Sequence, residues 1–209
     1  MAHVGEHMAM RNITPNKAKF STSRMEIAHI SISAVVLSTA MALVFRNSSI
    51  TNYFEYYLGN LWALGMFGVM FVLVLLSFVG HELGHKLVAQ RYGMWSEYRM
   101  FPRGLLLALA LSLVGFLFAA PGAVMIRGDY ITQEQNGRIS IAGPLVNLVL
   151  AAVGLIGVLM FNHTALLVPM YLLLTMNASL ALFNLLPIPP LDGSKIIGWN
   201  NMLWIGCLV

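Results

Sequence analysis

Long apolar runs separated by short polar intervals organise this chain. Crossing the hydrocarbon of a bilayer as a helix takes about 20 residues. Four runs approach or meet that length: residues 27–45, residues 58–79 with a polar-tipped continuation to about residue 92, residues 139–161 and residues 165–186. A fifth run, residues 105–120, is only 16 residues long and reads as a short span, a re-entrant loop or an interfacial helix. A last stretch, residues 196–209, is too short to span alone; it is the start of a further helix or a segment lying at the interface. The pattern predicts an all-α polytopic membrane protein of about four to six transmembrane helices. No repeat or low-complexity tract divides it, so the expected organisation is a tail, residues 1–25, and one membrane core, residues 26–209. Residues 1–10 read as a start region that can include residues left by cloning, and they carry no fold argument.

Composition agrees with that pattern. Of 209 residues, 58% are hydrophobic and 10% charged, and the mean hydropathy is +0.77, whereas soluble domains carry about 25% charged residues. The net charge of +4 is small and dispersed, so nothing suggests nucleic acid, and a lipid surface is the plainer partner. A single cysteine, Cys207, excludes an internal disulfide and a multi-cysteine zinc module. Lys17, Lys19 and Arg24 precede the first span, and Lys86, Arg91, Arg99 and Arg103 follow the second, with only Arg46 between those spans. By the positive-inside tendency the N-terminus and residues 86–103 are cytoplasmic. Trp95, Trp199 and Trp204 read as interface anchors, and His29 and His163 lack partners at ligand spacing.

The second span ends in "GHELGHK", where His81, Glu82 and His85 spell H-E-x-x-H. Positions i and i+4 share one helix face, so both imidazoles can reach one metal ion. Zinc suits imidazole, and a catalytic zinc keeps three protein ligands and one open position. Ionisable groups at membrane depth are costly, about 2.5–3.5 kcal/mol for an Asp, Lys or Arg at a helix centre on translocon scales; three within five residues are tolerable when they share a cation and water. A third ligand is needed. After the fourth span comes "FNLLPIPPLDGSK", in which Asp192 is the first charged residue since Arg138. Pro187, Pro189 and Pro190 forbid regular helix there, so Asp192 can aim inward or can cap the helix that follows.

These residues resemble the site-2 protease family of intramembrane zinc metalloproteases. The resemblance rests on H-E-x-x-H at a transmembrane helix, on a G-x-x-x-N element at Gly143 and Asn147, and on N-x-x-P-x-x-P-x-D-G at Asn184, Pro187, Pro190, Asp192 and Gly193. It implies that His81, His85 and Asp192 bind Zn2+ and that Glu82 is the catalytic base. It also implies a transmembrane protein as substrate, such as a membrane-tethered transcription regulator, cut at a prokaryotic cell membrane with the site toward the cytoplasm. PDZ and CBS modules of many members do not fit in this chain. Asn147 is either an oxyanion or substrate-backbone donor or interhelical glue, and Asn184 is expected to brace the proline-rich loop.

Convergence of His81, His85 and Asp192 makes a topological demand. Both follow an apolar span, so spans two and four must run in the same direction, and residues 93–138 must begin and end on one side of the membrane. Residues 105–120 are therefore expected to enter and return, giving a re-entrant or β-hairpin-like segment between the H-E-x-x-H helix and the next span. "GAVMIRG", residues 122–128, is β-prone and reads equally as an edge for an extended substrate or as a linker strand. A polar path to the metal is expected past Lys86 and Arg91. Rival readings are a membrane metal-binding or transport protein without hydrolysis, and an inactive scaffold that retains the fold.

Overall fold

The computed structural model describes residues 20–117, 120–128 and 130–208. Residues 1–19, with Lys17, Lys19 and most of the expected tail, lie outside the described residues. Among the described residues, four helical stretches are long and apolar enough to cross a membrane. The first is α1, Arg24–Phe45, capped by the Ser23 side chain, which accepts from the Glu26 N–H. The second is a near-continuous stretch of 43 residues: α2 (Ser49–Leu58), a 3₁₀ turn, α3 (Trp62–Val74), a π-helical turn at Leu75–Val79, and α4 (Gly80–Arg91). At the junction of α2 and α3, Gly59 takes φ +53°, a conformation open to glycine. The polar content of "SITNYFEYYL" hides α2 from a hydropathy reading. Two further spans are α6 (Gln133–Met160), opened by a capping box of Thr132 and Gln135, and α7 (Leu167–Asn184).

The burial pattern is inverted relative to a water-soluble bundle. Leu64, Val72, Val149, Ile156, Leu159 and Leu182 lie exposed along the spans, while Ser33, Ser38, Ser77, Asn147 and Asn177 are fully buried. Such a surface is stable against hydrocarbon rather than water. With lipid outside, helices associate through close packing of small residues. A Cβ added at Gly154 of α6 would stand 2.8 Å from the Leu174 Cα of α7, so only glycine permits that approach.

Between α4 and α6 the chain builds a two-stranded antiparallel ribbon, β1 (Trp95–Met100) and β2 (Gly122–Arg127). Its register pairs Met100 with Gly122, and the Phe101 N–H donates to the Pro121 carbonyl at 2.8 Å. The segment between them starts and finishes at one end of the ribbon. It enters as α5 (Pro102–Ser112), a helix of 11 residues, about 16 Å long at 1.5 Å per residue and so about half the hydrocarbon thickness. α5 packs Leu105 and Ala108 against Ala34, Leu37 and Met41 of α1. Arg46, just beyond α1, donates to the Leu113 carbonyl at 3.1 Å. The expected re-entrant segment thus enters as a short helix, and the expected β-hairpin-like part is this ribbon, with β1 as the strand opposite "GAVMIR".

A buried ion pair ties these parts together, and it corrects one expectation. Lys86 does not border a polar path: its side chain and that of Glu26 are both fully buried and form a salt bridge. The second Glu26 oxygen accepts from the Tyr98 N–H at 3.0 Å, and Lys86 also donates to Thr22 Oγ1 at 3.1 Å. Tyr98 donates from its phenol to the Pro121 carbonyl at 3.0 Å and sits 2.9 Å from Ser33 Oγ; burial raises its pKa and keeps it neutral. The start of α1, the second half of α4 and the ribbon are therefore one unit. After α7, a proline-rich loop with a cis Pro189–Pro190 peptide leads into α8 (Asp192–Trp199) and α9 (Asn201–Gly206).

Candidate metal centre

α4 presents His81 and His85 on one face toward α6. Their Nε2 atoms lie 3.0 Å apart. Asp192 arrives from the proline-rich loop, its Oδ2 3.4 Å from His81 Nε2 and 3.1 Å from His85 Nε2. The choice between cap and ligand is decided by position: Leu191 is the N-cap of α8 and makes no side-chain cap bond, while the Asp192 carboxylate points to the histidine pair. All three residues are buried. The parallel course of spans two and four makes this meeting possible.

Hydrogen bonds on the far side of each ring set its tautomer. His81 Nδ1 is 2.6 Å from Asn147 Oδ1, and His85 Nδ1 is 2.8 Å from the Ile139 carbonyl oxygen. Both partners only accept, so both Nδ1 atoms carry the proton and a neutral ring leaves Nε2 bare. Pro144 lacks the N–H that would bond the Ser140 carbonyl, and this break in the helix ladder lies beside the carbonyl that His85 uses. Two bare nitrogens and a carboxylate oxygen thus face one another, an arrangement that a cation relieves. Ligand atoms about 2.0–2.1 Å from a tetrahedral zinc stand about 3.3–3.4 Å apart, and the observed edges of 3.0, 3.1 and 3.4 Å fit that triangle.

Gly143 explains the first half of the G-x-x-x-N element. A Cβ there would meet His85 Nε2 and would stand 2.6 Å from His81 Nε2 and 2.6 Å from His85 Cε1. Rings fixed from behind cannot retreat, so Gly143→Ala is expected to weaken zinc affinity by about 10–100-fold. The helix itself should not suffer, since alanine is about 1 kcal/mol better than glycine in a helix interior. Competition with a chromophoric chelator, run beside thermal unfolding of the metal-free protein, checks both halves. Unchanged affinity would contradict the geometry.

Glu82 lies beside the ligands, and its Oε2 accepts from the Val124 N–H of β2 at 2.8 Å. That N–H therefore points away from β1, and by the alternation of an antiparallel strand so do those of Gly122 and Ile126. The free edge of β2 forms one wall of a cleft of about 350 Å³. Phe78, Leu180 and Phe183 give it an apolar lining, and its polar rim includes Asn136, Asn184 and Lys195. Lys195 holds the second Asp192 oxygen at 3.3 Å, which leaves Oδ2 for the histidine side.

Other candidates fall in different places. Asn147 is fully buried behind His81, with its amide donating to the Ser77 carbonyl at 3.0 Å and to Asn177 Oδ1 at 2.8 Å. Asn184 does not brace the loop; it donates back to the Leu180 carbonyl at 2.9 Å in its own helix. His29 and His163 stand outside the cluster. Trp199 covers Gly137, and the Trp204 indole donates to the Leu185 carbonyl at 2.7 Å. Sequence reasoning missed Ser77, Asn177, Lys195 and Glu26. A lone Asn inside an apolar span is a visible signal for Asn177.

Residues 69–167 match the model of Peptidase family M50. "Putative zinc metalloprotease MJ0611" of Methanocaldococcus jannaschii is 41% identical over 187 residues, covering 88% of this chain and 90% of that protein. The chain belongs to peptidase family M50, the site-2 protease family. "Zinc metalloprotease MJ0392" of the same organism is 36% identical over 130 residues, 62% of this chain but 33% of its own length. "Putative zinc metalloprotease YwhC" of Bacillus subtilis is 31% identical over 157 residues, 65% of this chain and 70% of its own. No solved structure gives a significant match. As an M50 protein with four helices long and apolar enough to cross a membrane among the described residues, the chain is a multi-pass membrane metalloprotease.

Proposed function

We propose that this chain is a zinc-dependent intramembrane endopeptidase that hydrolyses a peptide bond in or near a transmembrane segment of another protein. One observation carries the reading: His81, His85 and Asp192 converge beside Glu82 in a cleft walled by an open strand edge. His81, His85 and Asp192 are the residues that would hold zinc. Zinc, when bound, supplies a Lewis acid for the scissile carbonyl and makes water a nucleophile near neutral pH.

This chain's own groups do the rest. Glu82 takes the proton of the attacking water and hands it to the leaving nitrogen. Asn147 acts behind the ligands as a positioning residue: both directions of its amide are committed, so it has no donor left for a substrate oxyanion. A transmembrane helix hides its carbonyls in internal bonds and must be unwound before attack. Gly122, Val124 and Ile126 offer outward backbone groups to which an extended segment can pair. Phe78, Leu180 and Phe183 offer apolar contact to its side chains.

Arg91, Arg99 and Arg103 lie at the ribbon end of the bundle, which supports a site toward the cytoplasm. Relatives in an archaeon and a bacterium support a prokaryotic cell membrane. A membrane-tethered transcription regulator, cut in regulated proteolysis, is the substrate class this reading favours. The test is metal removal. Protein stripped with a chelator is expected to lose cleavage of a model transmembrane substrate in proteoliposomes and to regain it with about one equivalent of zinc. Cleavage untouched by chelation would reject the reading, and zinc binding without cleavage would favour the transport alternative.

A further inference from the structure

Behind the proposed ligand His81 lies a closed polar cluster that the hydrolytic step does not use. It joins three membrane helices at depth: Ser77 in the π-helical turn before α4, Asn147 in α6 and Asn177 in α7, each with no exposed surface. Among hydrocarbon-facing helices such groups are costly unless satisfied, and here each is satisfied. Asn177 donates to the Leu173 carbonyl at 2.8 Å and to Ser77 Oγ at 2.8 Å. Its Oδ1 accepts from Asn147 Nδ2 at 2.8 Å, and the same Nδ2 donates to the Ser77 carbonyl at 3.0 Å.

The order of these bonds has a direction. A backbone carbonyl only accepts, so the Leu173 carbonyl fixes which end of the Asn177 amide is nitrogen. Asn177 then offers oxygen to Asn147, and the Ser77 carbonyl makes the same demand on Asn147 from a second side. Asn147 is left with oxygen facing His81 Nδ1, and His81 must keep its proton there. Reversing either amide would set oxygen against a carbonyl oxygen. The π-helical turn contributes by placing the Ser77 carbonyl and hydroxyl within reach of the two amides, consistent with the frequent occurrence of such turns at functional sites.

We propose that Asn177, acting through Asn147 and anchored on Ser77, is a positioning residue that holds His81 in the Nδ1–H tautomer and so presents Nε2 as a ready metal ligand. The proposal rests on the reading that His81 binds the metal, but it makes a separate claim about the metal-free protein. Outer partners of ligating histidines typically change metal affinity by about 10–100-fold when removed. Asn147→Leu is expected near the top of that range and Asn177→Leu near the bottom. Because Asn177 acts through Asn147, the double variant should bind zinc no more weakly than Asn147→Leu alone.

Two readouts on full-length protein in micelles test this. One is zinc affinity by competition with a chromophoric chelator. The other is the tautomer of His81 in metal-free protein, read from the ring-nitrogen shifts of ¹⁵N-histidine samples and assigned by loss of the signal in His81→Ala. The wild type should show His81 with Nδ1 protonated and Nε2 bare, and Asn177→Leu should show a mixture. Asn177→Ser keeps a hydroxyl near the same partners and should recover part of both effects; Asn177→Ala serves as the disrupting variant if the leucine variant does not fold. A tautomer and affinity unchanged in Asn177→Leu or, failing that, Asn177→Ala would reduce the cluster to helix packing and overturn the proposal. Absence of zinc binding by the wild type would instead count against the ligand reading, leaving the tautomer measurement to judge this one.

Discussion

Glu82→Gln is expected to retain zinc and to lose about 10²–10⁴-fold in kcat, the usual contribution of a general acid–base group. At 1.36 kcal/mol per decade this corresponds to about 2.7–5.4 kcal/mol of transition-state stabilisation. The substitution is nearly isosteric. Glutamine Oε1 can still accept from the Val124 N–H, so the ribbon keeps its contact, and none of His81, His85 and Asp192 is altered. The amide cannot take a proton from water at neutral pH. KM should therefore stay close to the wild-type value while turnover falls. The check pairs cleavage of a model transmembrane substrate with metal content of the same preparation. Equal cleavage by both proteins would remove Glu82 from the role of base. Zinc lost together with activity would mean that the carboxylate supports the metal rather than proton transfer.

Lys86→Met should destabilise the protein by about 3–5 kcal/mol, because it leaves the Glu26 carboxylate buried without its cation. Both side chains are fully enclosed, and water cannot take over the lost partner. A second substitution separates the effect of charge from that of shape. In Glu26→Gln with Lys86→Met no buried ion is left, and replacing a whole buried pair is often close to neutral, so most of the loss should be recovered. The introduced glutamine can still accept from the Tyr98 N–H. Unfolding of the single and double variants by denaturant in micelles measures this. A single variant as stable as wild type would show that water reaches the Glu26 carboxylate and contradict its enclosure. The ribbon should loosen with the pair, since one Glu26 oxygen holds β1.

Much of this architecture can be read from the chain before any coordinates. The number of spans, the H-E-x-x-H spacing and the single carboxylate after Arg138 depend on local composition, and each reappears in the fold, although the second stretch begins earlier, at Ser49, and the third at Gln133. The requirement that Asp192 meet the histidines was enough to predict that residues 105–120 enter and return. Features that depend on distant partners were not legible. Lys86 reads as one more cytoplasmic charge until Glu26, 60 residues earlier, closes on it. "WSEYRM" becomes a strand only because "GAVMIR" lies opposite. Asn147 could not be sorted between donor and support, since its role depends on Ser77 and Asn177. The π-helical turn leaves no mark on hydropathy, yet it sets the height and angle of the residues that follow.

The Val124 N–H that rests on Glu82 belongs to the open margin of β2, where an incoming extended segment would align. A single N–H serves one strong acceptor at a time. A guest carbonyl that pairs with it would compete with Glu82 Oε2, the one glutamate oxygen that bond engages. The same N–H thus ties the place where a guest strand would lie to the carboxylate beside the metal ligands, and the two cannot be shifted independently.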